Sequence, residues 1–429
     1  MPIKTRRFLR NTKSCSCSMP GVFRAVAYCE GVVVIFHSPR ACAHVARTMD
    51  INSFYRTLAA GHKEYYNTVP LLSSQLEEKH SIFGGIDRLR QCVEFAIKHY
   101  APKCLVIANS CAVGVFGDDV PSLTKELEAR YNIPVLTVDC YGFLDGEYYQ
   151  GYYEITEQLV DKFLKPSFTT PGTVILLGDS GGPWGEYALE VKRLLEAIGL
   201  RIIGQFPSYL AFKDLEKVAK AEIVVVLGNR GLTHDGLSSI AQKFVNKFHM
   251  KYLPGIYPVG WQQTKEWLRG MGKLIGNEIL AEKVLEKELG RLRRRATDLW
   301  PITENKRILL CIGRLVEYFD PLEVLNVIEA LHLNLVGIVI LDTYTKEQKE
   351  KMLNILKEIT LAPIYDTSIG ESLFFKVDLV FTTHELQNKK IKQLFLPMLP
   401  IVGINGEIKF MEGIYRCLCS KHKGGLNYV

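Results

Sequence analysis

Three cysteines, Cys17, Cys42 and Cys111, have the residue type and the placement to bind a metal. Each lies at the start of an expected helix or in a loop that leaves an expected strand. A helix N-terminus carries about half a positive charge and free N–H groups, which lower a thiol's pKa and stabilise an anionic ligand. Iron–sulfur clusters need such thiolates, usually four, so three from one chain require a ligand from elsewhere. The three thiols are therefore candidates for an iron–sulfur site.

The residues alone leave other interpretations of these cysteines open. Arg40, His44 and Arg47 surround Cys42 and favour its thiolate. Taken singly, however, each cysteine is also a small apolar residue that packs well in a core. Zinc is a further alternative, with Cys42 and His44 as ligands, although the sequence has no close C-x-x-C pair. Metal binding and core packing are thus competing hypotheses at this point.

Alternating helices and strands must position these thiols. The hydrophobic pattern predicts, in order, a helix over 19–28, a strand over 32–36, a helix from Pro39, a helix that follows a glycine hinge within 81–100, and then strand 104–108, helix 121–131 and strand 135–138. Asp118 and Asp119 precede the helix over 121–131, where either side chain would cap it. Strands that alternate with helices predict a parallel, doubly wound sheet, with ligand sites at the carboxyl ends of its strands.

The same alternation recurs twice further along the chain, so we expect an α/β fold with three Rossmann-like, doubly wound parallel-sheet domains. A long charged helix over 263–295 leads to a boundary at Trp300-Pro301. The expected domains are a flexible N-terminal arm over 1–14, a cluster-binding domain over 15–168, a second Rossmann-like domain over 169–300 and a third, with a C-terminal helix, over 301–429.

Composition limits the class of protein. The chain has 429 residues, a formal net charge of +7 and 11 cysteines that are scattered along its length. This mild charge does not argue for a nucleic-acid partner. No apolar run approaches the roughly 18 residues of a membrane span, and the basic N-terminus lacks the apolar core of a signal peptide. We therefore expect a cytoplasmic protein without a membrane partner, whose thiols are reduced, metal-bound or buried.

Other motifs have simpler interpretations. The segment G-D-S-G-G-P over 178–183 matches the sequence around a serine-protease nucleophile, with Ser180 in that role. It joins an expected strand to a helix, so we interpret it as a glycine turn at a crevice rather than as part of a triad. The run over 291–295 is expected to be a solvated helix end, with a docking patch as the alternative. The remaining cysteines with apolar neighbours are expected in the core: Cys29, Cys92, Cys104, Cys140 and Cys311.

Several of these segments resemble the nitrogenase component 1 family. The segment over 17–44, with a cysteine, a helix, a strand and H-S-P-R-A-C, resembles the N-terminal cluster region of its subunits. The stretch I-F-G-G-I-D-R-L resembles the family's F-G-G helix entry, and C-A-V-G-V-F-G-D-D resembles its third cysteine motif. D-C-Y-G-F is similar to C-x-G-F of the α-type chain, and the resemblance covers essentially the whole chain.

The resemblance implies a fold, a cofactor and partners. It implies three Rossmann-like domains and a second component 1 subunit, identical or homologous, that shares a cluster at the interface. The cluster would be an eight-iron P-cluster-like group or a four-iron [4Fe–4S] cluster, reduced by an ATP-dependent iron–sulfur protein. Cys17, Cys42 and Cys111 match the three ligand positions, and Cys15 is the fallback for Cys17. ATP hydrolysis would belong to the partner, because the sequence has no G-x-x-x-x-G-K-[ST] loop.

One departure from the family limits the functional prediction. The catalytic α chain anchors a second metal–sulfur cofactor with a cysteine in its second domain and a histidine in its third. Here the first position falls at Leu227 or Gly228, and the second falls near L-P-I-V-G-I-N-G, which has no histidine. We therefore expect an electron-relaying subunit of a nitrogenase-like reductase with an unknown substrate. The alternatives are a non-catalytic scaffold for cluster assembly and a metal-free binding protein.

Overall fold

The fold is described from a computed structural model of the chain. The described residues are 17–59, 68–141, 148–179, 185–228, 234–313, 320–341, 346–388, 390–396 and 401–427. The arm expected over 1–14, Cys15, and Ser180 of the G-D-S-G-G-P motif lie outside these residues.

A parallel sheet organises the first part of the chain. Its described strands, in the spatial order β2–β1–β3–β4, are β1 (Val32–His37), β2 (Leu71–Ser73), β3 (Cys104–Ser110) and β4 (Val135–Cys140). Every side chain of β1 and β3 is buried. Parallel strands that are buried on both faces need nearly continuous apolar sequence, which is the pattern that predicted them.

Helices cover this sheet and lead into and out of its strands. They are α1 (Met19–Val26), α2 (Arg40–Ala59), α3 (His80–Phe83), α4 (Ile86–Tyr100), α5 (Cys111–Phe116), α6 (Val120–Tyr131) and α7 (Tyr148–Phe163). Pro20 lies in the first turn of α1, where its missing N–H costs nothing. Asp119 caps α6, because its side chain accepts a hydrogen bond from the backbone N–H of Ser122 at 3.1 Å.

A second parallel sheet has the order β6–β5–β7–β8 in the described residues. Its strands are β5 (Thr170–Leu177), β6 (Arg201–Phe206), β7 (Ala221–Val226) and β8 (Lys251–Tyr252), with α8 (Glu186–Ala197), a 3₁₀ helix (Phe212–Lys220) and α9 (His234–Phe248) between them. The sequence pattern of this region predicts a helix over 213–220, and the structure forms it as the 3₁₀ helix.

The single long helix expected over 263–295 is wrong, because the structure has two helices there. These are α10 (Gly260–Ile275) and α11 (Glu278–Thr303). Gly276 ends α10 in a left-handed conformation, with φ of 68°, and the Asn277 side chain caps α11 by accepting from the N–H of Leu280. A glycine after a helix and an asparagine before the next one are ordinary stop and start signals. Pro301 lies inside α11.

The third parallel sheet has the order β11–β10–β9–β12–β13–β14 among the described residues. Its strands are β9 (Arg307–Ile312), β10 (Asn334–Ile340), β11 (Ile364–Tyr365), β12 (Leu379–Thr382), β13 (Gln393–Phe395) and β14 (Leu426–Asn427). The accompanying helices are α12 (Pro321–Ala330), α13 (Lys346–Ile359), α14 (Thr367–Leu373), a 3₁₀ turn (Phe374–Lys376) and α15 (Gly403–Cys419). Three parallel-sheet regions confirm the predicted fold class.

Two of the arginines in the run over 291–295 are engaged within the fold. Arg291 donates to the side chain of Asn405 at 2.7 Å, and Arg295 donates to Glu412 at 2.9 Å. Both contacts fasten α11 to α15. These two arginines therefore hold helices together, which the expectation of a merely solvated helix end did not include.

The described residues form two compact units. One comprises Ser14–Gly228 and Thr233–Pro254 and contains the first two sheets, and the other comprises Gly255–Val429 and contains the third. The domain boundaries expected at 168/169 and 300/301 stay predictions. Among the described helices, none combines the length and the apolar character that crossing a bilayer requires.

Candidate metal centre

Cys42 and Cys111 lie together at the carboxyl edge of the first sheet. β1 and β3 are neighbours, with His37 opposite Asn109 near their ends. Cys42 lies in the first turn of α2, which follows β1, and Cys111 is the first residue of α5, which follows β3. The chain leaves β1 and β3 towards opposite sides of the sheet, which makes this edge the switch point where open α/β sheets bind ligands. Both thiols therefore lie just beyond the carboxyl ends of strands, as the sequence pattern predicts.

The pKa of Cys42 is shifted in the direction opposite to the one expected. Burial raises the pKa of its thiol, a hydrogen bond with the Ser38 side chain lowers it, and the nearby Cys111 thiol raises it again. The helix start and the basic neighbours had predicted a lowered pKa. Desolvation of the half-buried thiol outweighs them, because a charge is disfavoured wherever water is excluded. A metal at Cys42 would therefore have to displace a proton.

Cys17 is exposed, and one residue, Ser18, separates it from the start of α1 at Met19. α1 packs closely against α7, and two glycines make this approach possible. A Cβ on Gly21 would overlap the carbonyl oxygen of Tyr148, and a Cβ on Gly151 would overlap that of Ser18. The backbone beside Cys17 is therefore fixed by contacts that only glycine permits.

Cys140, which was expected to be a core residue, lies at the carboxyl edge beside Cys17. It ends β4, next to Ser110 of β3, and it is fully buried. Burial raises the pKa of Cys140 to about 12, a hydrogen bond with Ser18 lowers it, and the Cys17 thiol raises it. Its burial confirms the expectation of a core residue, and its place at the end of β4 brings it beside Cys17.

A buried histidine–aspartate pair joins the segments that carry Cys42 and Cys111. His37 Nε2 lies 3.0 Å from Asp118 Oδ2, and His37 Nδ1 lies 2.9 Å from Ser74 Oγ. Ser74 Oγ also accepts the backbone N–H of Ser38 at 3.1 Å. The side chains of His37 and Asp118 are 0% and 5% exposed. The pair thus connects the end of β1 with the loop that follows α5.

Asp118 also holds the entry to α4. Its two carboxylate oxygens accept the backbone N–H of Gly85, at 2.9 and 3.0 Å. The sequence had offered Asp118 as a helix cap, and only its neighbour Asp119 has that role. Residues of the H-S-P, F-G-G and G-D-D motifs therefore meet in one buried network whose effect is to position the two thiol-bearing loops.

Two buried polar atoms beside Cys111 have no hydrogen-bond partner among the described residues, Asn109 Oδ1 and Ser110 Oγ. The amide nitrogen of Asn109 is engaged, since it donates to Asp139 Oδ1 at 2.8 Å. Buried polar atoms are normally paired, so unpaired ones mark a place where a ligand or water is expected.

The donor set fits a multi-metal group better than a single ion. In the part of the chain that the structure describes, no three His, Cys, Asp or Glu side chains are close enough to hold one metal ion. The thiols are instead distributed along one edge, with Cys42 after β1, Cys111 after β3 and Cys17 beside the end of β4. Thiolates are the ligands of iron–sulfur clusters, and the unpaired atoms belong to Asn109 and Ser110, the two residues that precede Cys111.

The carboxyl edges of the other two sheets carry different groups. Leu227, one of the two residues expected at the position of the family's second-domain cysteine, donates its backbone N–H to the carbonyl of Leu177 at 2.8 Å. The carbonyl of the next residue, Gly228, accepts the hydroxyl of Tyr187. At the third sheet, Thr383 Oγ1 accepts the N–H of Gly313 at 2.7 Å and lies 2.9 Å from His384 Nδ1. His384 had no role in the sequence interpretation.

These observations define a class: an α/β protein of three parallel sheets with thiols at the ligand-binding edge of the first. Residues 17–415 match the family model described as nitrogenase component 1 type oxidoreductase, and the chain belongs to that family. The solved structure "Nitrogenase Cp1 at pH 5" superposes with a TM-score of 0.64 over 98% of this chain and 93% of that one, at 16% identity. That likeness concerns the fold.

The chain is similar to curated proteins of at least two kinds. The chain is 25% identical over 338 residues to the nitrogenase molybdenum-iron protein alpha chain of Acidithiobacillus ferridurans, covering 71% of this chain and 64% of that protein. It is 23% identical over 362 residues to the nitrogenase iron-molybdenum cofactor biosynthesis protein NifE of Bradyrhizobium diazoefficiens, covering 81% and 61%. The chain thus spans less than two thirds of the length of either relative.

Replacing Asp118 tests the buried network. We expect Asp118→Asn to lower the free energy of unfolding by about 2–4 kcal/mol, because the donors of His37 and Gly85 lose a charged, buried acceptor. Urea titration followed by circular dichroism measures this. Asp119→Asn is the matched control, since asparagine caps a helix as well as aspartate and should change stability by less than about 0.5 kcal/mol. Equal effects of the two variants would contradict this role for Asp118.

His37 should make stability depend on pH. Burial lowers its pKa from 6.5, against the opposing effect of Asp118. The folded protein therefore favours the neutral ring of His37, and the resulting contribution to the free energy of unfolding is complete above pH 6.5. This contribution is lost as the pH falls from 6.5 towards the pKa of His37 in the folded state. We expect the wild type to lose more stability than His37→Gln between about pH 7 and about pH 5 in urea titrations. Equal losses of stability in the wild type and in His37→Gln would contradict this role for His37.

Proposed function

We propose that Cys17, Cys42 and Cys111 hold an iron–sulfur cluster, and that the chain is a subunit of a nitrogenase-like, two-component oxidoreductase. The observation that carries this proposal is the meeting of Cys42 and Cys111 at the switch point of the first sheet. When bound, such a cluster supplies one-electron transfer. The three thiols are the ligands, and the remaining residues of the edge orient them.

The chain's own residues have defined tasks in this proposal. Ser38 hydrogen-bonds to the Cys42 side chain. The Asp118–His37 contact fixes the end of β1, which leads to Cys42, against the loop that follows α5, the helix that begins at Cys111. Partial burial of Cys42 limits the access of water, which stabilises a cluster against loss of iron. Ser110 Oγ and Asn109 Oδ1 offer polar atoms to a group bound beside Cys111.

A second subunit completes the site in this proposal, since three thiolates are one fewer than a cluster usually has. An exposed apolar rim is formed by Val45 on α2 and Val115 on α5, the helices that carry Cys42 and Cys111, and by Ile82 and Phe83 on α3. Ile82, Phe83 and Val115 are 78%, 83% and 69% exposed, and α3 contacts α5. Val45 follows Cys42 on α2 and is 54% exposed. Large apolar side chains concentrated beside a site mark a protein–protein contact.

An ATP-dependent iron–sulfur protein is the proposed electron donor. The printed sequence contains no phosphate-binding G-x-x-x-x-G-K-[ST] loop, so ATP hydrolysis is assigned to that partner. Electrons would enter at the thiol edge, which is the carboxyl edge of the first sheet where Cys17, Cys42 and Cys111 lie. They would pass from there to a substrate or cofactor held elsewhere in the assembly.

A scaffold for assembling a metal–sulfur cluster is the second candidate function. The expected position of the family's second-domain cysteine falls at Leu227 or Gly228, neither of which is a thiol, and relatives include a cofactor biosynthesis protein. Turnover with reductase, ATP and small unsaturated or carbon–sulfur substrates would favour the enzyme. Substrate-independent ATP use with transferable iron would favour the scaffold.

Metal analysis tests the cluster directly. We expect anaerobically purified protein, with its partner chain where one exists, to contain iron and acid-labile sulfide and to give an EPR signal after dithionite. The iron and sulfide counts separate an eight-iron from a four-iron cluster. Cys42→Ala should lose the cluster, because it removes a ligand. Cys104→Ala, which removes a thiol buried inside β3, should keep it. Wild-type protein without iron or sulfide would rule out the proposal.

Association through the apolar rim is testable by sedimentation. We expect Phe83→Asp to weaken assembly with the second subunit about tenfold or more, since a charge would replace a contact residue worth over 1.4 kcal/mol. The control is Phe168→Asp, which alters a side chain that is 97% exposed and lies outside the rim. Unchanged assembly of Phe83→Asp would show that the partner binds elsewhere.

A further inference from the structure

Arg24 makes a two-pronged ion pair with Asp179 across a long sequence separation. Its Nε donates to Asp179 Oδ2 at 2.9 Å, and its Nη2 donates to Asp179 Oδ1 at 3.0 Å. The hydroxyl of Tyr209 donates to Asp179 Oδ1 at 2.9 Å and lies 3.2 Å from Arg24 Nη2. A planar guanidinium matches a carboxylate in this geometry, which lysine does not reproduce.

Burial makes this contact consequential. The Arg24 side chain is 11% exposed and that of Asp179 is 27% exposed. Burial alone would lower the pKa of Arg24, but Asp179 and Tyr209 raise it well above its usual value. The guanidinium also lies 5.5 Å from the ring centre of Tyr28, which stacks on Tyr209. Removing the carboxylate would therefore leave a shielded cation without its main counter-charge.

The two partners lie on segments with different roles. Arg24 is in the last turn of α1, the helix that begins just after Cys17. Asp179 follows Gly178 directly after β5 and belongs to the G-D-S-G-G-P motif, for which the sequence had offered only a turn. β5 lies between β6 and β7, so Asp179 is at the switch point of the second sheet. Both partners belong to the same compact unit.

α1 depends on tertiary contacts for its position. It has only 8 residues, too few for a stable helix in water without packing partners. The contacts at Gly21 and Gly151 fix its first turn against α7. The Arg24–Asp179 pair fixes its last turn, so the two ends of the helix are held by different elements.

We propose that the Arg24–Asp179 pair is a positioning link that sets the placement of Cys17 and joins it to the carboxyl edge of the second sheet. Cys17 is a ligand only under the proposed function, on which this inference rests. Asp179 does not contact the metal group in this scheme and acts through α1. The link gives the G-D-S-G-G-P motif a structural task that its resemblance to a protease sequence concealed.

Hydrogen exchange tests the link without any metal. We expect Asp179→Asn to accelerate amide exchange in α1 by roughly tenfold or more, because charged hydrogen bonds hold its last turn. Exchange in α6 should be unchanged. Glu282→Gln is the control, since it removes the partner of Arg269 in another two-pronged ion pair, which is exposed. Wild-type exchange of α1 in Asp179→Asn would overturn the inference.

Iron retention and EPR test the consequence for Cys17. We expect Asp179→Asn to lose iron to a chelator on the order of tenfold faster and to have altered EPR line shape, as when groups that orient metal ligands are removed. Arg24→Met should behave alike, and the double variant should be no worse than either single one, because the residues act as a pair. Independent, additive effects would contradict the link.

These outcomes separate the two proposals. The link would be overturned, and the proposed function would stand, if the wild type contained iron, Cys42→Ala lost it, and Asp179→Asn retained it at the wild-type rate. In that case the EPR line shape of Asp179→Asn would be that of the wild type. Wild-type protein without iron would remove the proposed function, and the exchange of α1 would still decide whether Asp179 holds that helix.

Discussion

The buried contact between His37 and Asp118 is the interaction on which the thiol edge depends. It joins the end of β1, the entry to α4 through Gly85, and the loop after α5, three segments that the chain order separates widely. Because both side chains are nearly excluded from water, water competes little for the hydrogen bond between the neutral ring and the carboxylate. Ser74 fixes the other ring nitrogen of His37, so the imidazole has one orientation. The sheet alone fixes where strands end, whereas this network fixes where the loops beyond them go.

Local patterns were sufficient for the fold and for the position of the thiols. The apolar runs of β1 and β3 are buried on both faces, and an apolar run of strand length is readable without any tertiary information. Long-range partners were not readable. Asp118 pairs with a residue 81 positions away, and Arg24 with one 155 away, and nothing near either residue identifies its partner. A local rule therefore assigned Asp118 to helix capping, which only Asp119 does.

The pKa of Cys42 shows why charge patterns mislead when burial is unknown. Helix starts and basic neighbours are visible in a sequence and predict a stabilised thiolate. Desolvation is a property of the assembled fold, and here it raises the pKa of Cys42. Burial likewise raises the pKa of Cys140, the core thiol that lies beside Cys17. For Cys42, the sequence indicates where the thiol lies, whereas its ionisation depends on burial, which the sequence does not show.

The three sheets offer different chemistry at their carboxyl edges. The first offers thiols, the second offers Asp179, and the third offers Thr383 with His384. Soft thiolates suit iron–sulfur groups, while carboxylate, hydroxyl and imidazole groups suit protons and harder ligands. An electron-relaying subunit and an assembly scaffold would use the thiol edge alike, so that edge does not distinguish them. The distinction rests on what the second and third edges bind, and the Arg24–Asp179 pair connects the second edge to the helix that follows Cys17.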